Sequence, residues 1–196
     1  MFTGLIEATG KTREIETIPH GLRFAVVTDL ARKLNLGDSI AVNGVCLTVM
    51  EKDDQSFTAQ ISTETMRVTT LAKLRVSQIV NLERPMAADG RLGGHFVLGH
   101  VDGIGSIACI EEQSDFCLVS VSYAESLNPY IVLKGSLAID GISLTVAGLD
   151  DRRATVQVVP YTWLHTNLQG LNVDDPVNIE CDIIGKYVVR VLRETT

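Results

Sequence analysis

The chain carries one eleven-residue phrase twice: SIAVNGVCLTV at 39–49 returns as SLAIDGISLTV at 136–146, an offset of 97 residues. The same offset carries Thr65 onto Thr162 and Leu71 onto Leu168, and Val80, Asn81 and Glu83 in VNLE onto Val177, Asn178 and Glu180 in VNIE. TGLIEATG (3–10) lies on LGHVDGIG (98–105) at an offset of 95, with Gly4 on Gly99 and Gly10 on Gly105. A two-residue length change therefore falls between that stretch and position 39. Landmarks that keep their spacing along most of a chain require two homologous halves, each folding into the same kind of unit. PMAADGRLGG (85–94), rich in Gly, Ala and Pro, is the joint.

Each half reads as β. RFAVVTDL, QSFTAQIS, IVNLER, DFCLVSVS, ATVQVV and VNIECDI alternate apolar with polar or small residues and are rich in β-branched side chains. Turn signals separate them: NG at 43–44, DG at 102–103 and 140–141, DD at 53–54 and 150–151. Short strands at this spacing predict a small antiparallel barrel in each half. Asp29 is placed to cap a short helix through DLARKL, and GKYVVRVLRETT predicts a C-terminal helix, whose valines make it dependent on packing partners. The expected domains are an N-terminal barrel over 1–93, a C-terminal barrel over 94–185 and the helix over 186–196.

Composition removes several classes of function. A net charge of −7 without a dense Lys/Arg run argues against nucleic-acid or anionic-membrane partners. No apolar stretch has membrane-spanning length, and MFTGLIEATGKT lacks the basic and apolar regions of a signal peptide. Cys46, Cys109, Cys117 and Cys181 form no CxxC pair and no zinc-site spacing, so free thiols in a reducing cytoplasm are expected and no metal is. GIGSIA (103–108) fits GxGxxA, but a β pattern follows it where a dinucleotide fold needs a helix. GKT (10–12) would need a glycine at position 5 to end a phosphate loop, and Leu5 stands there.

MFTGLIE (1–7), AVNGVCLTV (41–49), ETMRVTTL (64–71), VNLER (80–84), GGHFVLGHVDG (93–103), KGSLAIDGISLTV (134–146) and VNIECDIIGKY (177–187) together resemble the riboflavin synthase family, α-chain type, over essentially the whole chain. That resemblance implies an all-β fold of two homologous six-stranded antiparallel barrels plus a C-terminal α-helix. It implies a homotrimer assembled through those helices, with the N-terminal barrel of one subunit meeting the C-terminal barrel of its neighbour. The implied reaction belongs to riboflavin biosynthesis and is a transferase dismutation. Two molecules of 6,7-dimethyl-8-ribityllumazine exchange a four-carbon unit, giving riboflavin and 5-amino-6-ribitylamino-uracil without cofactor. A lumazine synthase shell is a further partner to consider.

A dismutation binds one molecule in two roles, so two similar pockets that differ at chemically active positions would suit it. The copies differ in that way: Cys46 aligns with Ser143, Asn43 with Asp140, Gly37 with Lys134 and Leu5 with His100. Leu47 and Leu144, and Thr48 and Thr145, are kept. His100 in GHVDG suits proton transfer because imidazole titrates near neutrality. Cys46 matches a family position implicated beside the reacting ring, as nucleophile, activator of water or polar contact. Ser39 matches a second implicated position, though its mate Ser136 allows a strand-entry role.

Gly4, Leu5 and Ile6, with Gly99 and Val101, lie where the family's first strand meets ligand. Gln60, Ile61, Ser62, Thr63, Glu64 and Thr65 form one strand-end segment that would offer main-chain groups to the pteridine. Val158, Val159, Pro160, Tyr161, Thr162 and Trp163 form the other, and Trp163 is either core or a ring stack. Lys134 would bind ribityl hydroxyls or a ring oxygen, and Asp140 is a binding residue or a turn residue. Phe2 is a candidate cover for the first barrel's mouth; His95 reads as an anchor of the joint, and His20 and His165 carry no role. The competing readings are a non-catalytic lumazine or flavin-binding antenna protein, disfavoured because Cys46, Ser39 and His100 are all present, and a flavin reductase, which lacks a nicotinamide-binding half.

Overall fold

The computed structural model describes residues 1–194. The first half forms β1 (Ala8–Ile18), β2 (Gly21–Val27), β3 (Ser39–Val42), β4 (Val45–Thr48), β5 (Glu51–Lys52), β6 (Ser56–Ser62) and β7 (Ile79–Glu83). The second forms β8 (Gly103–Glu112), β9 (Cys117–Ser122), β10 (Ser136–Ile139), β11 (Ile142–Asp150), β12 (Arg153–Val158) and β13 (Pro176–Cys181). Helix α1 (Thr63–Val68) follows β6, α2 (Pro160–Leu164) follows β12 in the corresponding place, and α3 (Ile183–Glu194) follows β13. GIGSIA and GKT both lie within strands, β8 and β1.

The second half is a closed six-stranded barrel, ordered β10-β11-β12-β9-β8-β13. The first half differs from six unbroken strands: its order is β4-β3-β7-β1-β2-β6-β5. The two end strands are consecutive in the chain, separated only by Val49 and Met50, and the Met50 amide donates to the Thr58 carbonyl on β6 at 2.9 Å. The path is therefore that of the second barrel, with the strand equivalent to β11 broken in two. Ala147, which aligns with Met50, is where β11 slips register against β12. A bulge that the second copy absorbs interrupts the ladder in the first. A second bulge recurs at the aligned residues Arg13 in β1 and Ala108 in β8.

The NG and DG pairs at 43–44 and 140–141 make tight hairpin turns, with φ of 45° and 74° at Asn43 and Gly44 and of 46° and 79° at Asp140 and Gly141. Left-handed conformation at both positions is what a two-residue hairpin needs, and Asn-Gly and Asp-Gly reach it at least cost. The DG at 102–103 is no hairpin; Gly103 opens β8. Asp29–Lys33 is a 3₁₀ turn capped by the Thr28 hydroxyl, which accepts from the Leu30 amide, so Thr28 takes the place expected of Asp29. Helix α3 starts at Ile183 rather than 186, because the Asp182 carboxylate accepts from the Ile184 amide and secures the first turn. Of the stretch expected to be helical, residues 195 and 196 lie outside the described residues.

Each barrel fills its own interior. Phe24, Phe57, Ile40, Leu71 and Leu82 pack in the first; Ile107, Leu137, Ile139, Leu168 and Ile179 pack in the second. The barrels meet about a pseudo-twofold axis that passes between aligned residues. Phe2 pairs antiparallel with Val97, its own mate. A Cβ on Gly44 would stand 2.6 Å from the Gly141 amide nitrogen, so the two hairpin tips touch backbone to backbone. Phe2, Val97, Ala41 and Ala138 form a small apolar cluster there, with Cys46 against it. Phe2 is thus fully buried between the barrels, away from any pocket mouth.

Polar side chains complete this interface. Asn81 donates through Nδ2 to the Asp140 carbonyl, while Asn178 donates to the Asn43 carbonyl at 2.8 Å. The Thr70 amide donates to Asn178 Oδ1 and the Asn167 amide to Asn81 Oδ1, each at 2.7 Å. Buried polar groups satisfied in this way fix one docking of the barrels, since any slip would orphan several at once.

Candidate functional site

The leading segments of the two halves are exchanged. The Ser143 amide on β11 donates to the Gly4 carbonyl at 2.8 Å, and Ile6 packs on the second barrel's core. The Cys46 amide on β4 donates to the Gly99 carbonyl at 3.0 Å, and Val101 packs on the first barrel's core. Gly4 (φ 76°) and Gly99 (φ 78°) are both left-handed. A buried strand glutamate fastens each segment: Glu83 accepts from the Thr3 and Gly4 amides, and Glu180 from the Leu98 and Gly99 amides. Burial pushes both carboxyls up, and these amide bonds pull against it.

This exchange sorts the expected residues into two groups. On the second barrel, Lys134, Ser143, Leu144, Thr145, Ala147, Gln157, Val159 and Thr162 line a cleft of about 370 Å³. Gly4 closes on its Ser143 edge and Leu5, half exposed, follows. On the first barrel the aligned residues are Gly37, Cys46, Leu47, Thr48, Met50, Gln60, Ser62 and Thr65, with the Gly99 backbone over Cys46 and the exposed His100 next in the chain. Strand alternation explains the facing. Cys46 is half-buried and Thr48 exposed, while Leu47 between them enters the core; Ser143, Leu144 and Thr145 repeat that order. Ser39 stands directly across from Thr48, as Ser136 does from Thr145.

Several expected residues occupy other positions. Ile61 and Val158 point into their barrel cores. Thr63, Glu64 and Thr65 form the first turn of α1, capped by the Ser62 hydroxyl, rather than a strand end. The Arg67 guanidinium takes up the Glu64 carboxylate and holds its pKa down. Pro160, Tyr161 and Trp163 lie in α2; Trp163 packs on the second core, and Tyr161 stacks on His165 at 4.1 Å. Asp140 is buried at the interbarrel interface. Its carboxylate accepts from the Asn178 amide and the Asn167 side chain, and burial raises its pKa to about 6.

Lys134 keeps a φ of 65° where its mate Gly37 has 84°. A left-handed lysine is strained by about 1 kcal/mol, and its retention at a cleft wall fits a ligand-facing task. His95 Nδ1 bonds the Ser143 hydroxyl at 2.7 Å, while its buried Nε2 has no partner. Burial lowers the His95 pKa, with the Asp182 carboxylate opposing. His95 thus anchors the joint, as expected, and does so on a cleft residue. The aligned positions on the first barrel and its crossing segment therefore carry a thiol and an imidazole where those of the second carry a hydroxyl, an aliphatic side chain and an ammonium.

Gln157 and Ala147 were not among the expected residues, although the 97-residue offset carries Gln60 onto the former and Met50 onto the latter. The signal for the fastening role of Glu83 and Glu180 is the recurrence of a glutamate inside a barrel strand at the same offset. A larger cleft of about 560 Å³, between the turns at Thr70 and Asn167, contains none of the expected site residues. Among the described residues no His, Cys, Asp or Glu cluster is arranged to hold a metal, and no helix is long and apolar enough to cross a membrane.

The family description "Lumazine binding domain" matches residues 3–85 and again 98–182. Riboflavin synthase of Bacillus subtilis (strain 168) is 43% identical over 195 residues, covering 99% of this chain and 91% of that one. Riboflavin synthase of Actinobacillus pleuropneumoniae is 46% identical over 196 residues, covering 98% and 90%. Among solved structures, LumP complexed with 6,7-dimethyl-8-(1'-D-ribityl) lumazine superposes with a TM-score of 0.85 at 23% identity, over 92% of this chain and 99% of that one. LumP complexed with riboflavin gives 0.87 at 24%, over the same shares. At that identity the likeness concerns the fold.

Proposed function

The chain belongs to the riboflavin synthase family, and from that premise we infer that it catalyses the dismutation of two 6,7-dimethyl-8-ribityllumazine molecules into riboflavin and 5-amino-6-ribitylamino-uracil. One lumazine gives up a four-carbon unit and the other gains it, so the exchange balances without an external oxidant or reductant. The observation that carries the reading is the crossing of the two leading segments, Gly4 onto Ser143 beside the second barrel's cleft and Gly99 onto Cys46 at the aligned place on the first, with the two places unlike at Cys46/Ser143, His100/Leu5 and Gly37/Lys134.

Each residue then has a task that follows from its position. Thr48 and Thr145, exposed beside the hairpin strands, offer hydroxyls to the two pteridines. The first turns of α1 and α2 offer main-chain groups. In this reading His100 takes a proton from the C7 methyl of the lumazine bound at the first barrel, a contribution of about 10²–10⁴-fold. Cys46, half-buried under the Gly99 backbone, borders the same ring in this reading. The anion delocalises over the pteridine, and fixed donors around it lower its cost. Holding two rings against each other removes much of the entropic barrier of a bimolecular step.

The two rings meet between subunits in this proposal. Ile184, Tyr187, Val188, Val191 and Leu192 make an apolar stripe on α3, each more than half exposed in the single chain. A stripe of that spacing is suited to a helical seam between copies, and a homotrimer would bring a first-barrel cleft against a neighbour's second-barrel cleft. Four free thiols are consistent with a reducing cytoplasm.

Purified protein given 6,7-dimethyl-8-ribityllumazine alone should produce riboflavin and the pyrimidine in equal amounts. Saturable binding with no riboflavin formed would select a lumazine or flavin carrier instead.

A further inference from the structure

The duplication supplies an internal comparison for how the crossed segments are braced. Three residues after Gly4 and after Gly99 stands an acid, Glu7 or Asp102, and each accepts the amide that follows the fastening glutamate. The Arg84 amide donates to Glu7 at 3.3 Å, and the Cys181 amide to Asp102 at 2.8 Å. The halves differ in the cation. Arg84 itself reaches Glu7, Nε to Oε2 at 2.9 Å. Its mate Cys181 has no charge to offer, and the cation on Asp102 comes from α3: Lys186 Nζ lies 2.6 Å from Asp102 Oδ2. The Lys186–Asp102 side chains are 22% and 23% exposed, against 37% and 33% for Arg84–Glu7, so the substituted brace is the drier of the two.

Of these two ion pairs, the one on the segment that carries His100 ties it to the C-terminal helix. We propose that Glu180, Asp102 and Lys186 are positioning residues that hold the segment bearing His100 where its Gly99 backbone meets Cys46, and that Lys186 makes α3 part of that segment's support. None of the three needs to touch substrate. Glu180 fixes the Leu98 and Gly99 amides, Asp102 fixes the chain beyond Val101, and Lys186 neutralises Asp102 while also favouring the ionised form of Glu180. The effect on turnover rests on the reading above; the effect on the segment's rigidity does not.

The test compares Lys186→Gln, Lys186→Arg and Arg84→Gln in the full chain by amide hydrogen exchange and steady-state kinetics. Lys186→Gln should speed exchange of the Cys46 amide, whose acceptor is Gly99, by at least about fivefold while leaving the Ser143 amide protected. Its kcat should fall about tenfold with little change in KM, because small displacements of a reacting group cost rate rather than affinity. Lys186→Arg should restore both. Arg84→Gln should do the reverse, exposing the Ser143 amide and sparing Cys46. If Lys186→Gln loses protection throughout, Asp102→Asn removes the ion pair yet keeps an oxygen for the Cys181 amide, and serves the same comparison. Unchanged Cys46 exchange in a variant that keeps its global protection overturns the brace. Faster Cys46 exchange with unchanged kcat overturns its link to His100. A wild-type chain that forms no riboflavin would refute the function while leaving the exchange result standing.

Discussion

The Cys46 amide and the Gly99 carbonyl are joined by a 3.0 Å hydrogen bond, and a Cβ on Gly99 would stand 2.5 Å from the Cys46 Cβ. Gly99 also has a φ of 78°, so alanine there meets both a clash and a disfavoured backbone. Gly99→Ala should destabilise the chain by about 1–3 kcal/mol and displace His100. Thermal unfolding together with riboflavin formation checks this. A variant as stable and as active as the parent would mean that the crossed segment is not packed as described.

Substitution of the chemically active pair should separate rate from binding. His100→Ala should lower turnover by about 10²-fold or more, and Cys46→Ala should lower it as well, with lumazine affinity changed much less in both. Fluorescence titration and initial rates provide the two numbers. Unaltered rates in both variants would remove the roles assigned to them.

The duplication made much of this legible. An offset in the letters predicted two barrels, and the aligned strands, hairpins, helices and bulges follow it. Alternation sets Cys46 and Thr48 apart from Leu47 once the strand register is known, and it leaves Ile61 and Val158, whose side chains enter the cores, only their main-chain groups to offer. The exchange of leading segments was not legible. Aligning Leu5 with His100 shows that they are equivalent, but not that each serves the opposite barrel; that depends on the Ser143–Gly4 and Cys46–Gly99 contacts and on the two glutamates behind them. Asp140 was ambiguous for a related reason: a turn aspartate looks the same whether its carboxylate faces a ligand or, as here, accepts from Asn167 and Asn178 of its own barrel while its carbonyl meets Asn81 of the other.

The Asp140 carboxyl should leave a mark on the pH dependence of stability. Its pKa rises from 3.8 to about 6 in the fold because burial disfavours the charge. A proton held more tightly by the folded state stabilises it at low pH. That contribution is full below the lower value and is lost as pH climbs to the upper one, a change on the order of 3 kcal/mol. Asp140→Asn, which cannot titrate there, should flatten the slope of unfolding free energy across that window. Parallel slopes in the two proteins would show that the group does not titrate there.

The stripe on α3 is expected to hold the active assembly together. Val188→Glu puts a charge on a side chain that is 53% exposed in the single chain, so the fold of one subunit should survive. Sedimentation should find a trimer for the parent and smaller species for the variant, with turnover falling in step. A parent that sediments as a monomer yet forms riboflavin would rule out a site shared between subunits.

The account depends most on two clefts of common origin that take the same ligand unequally. Calorimetric titration with riboflavin measures this directly. Two ligands per chain are expected, with different affinities, and Thr48→Val should weaken one and Thr145→Val the other. A single ligand per chain, unaffected by one of these substitutions, would contradict the paired-cleft mechanism.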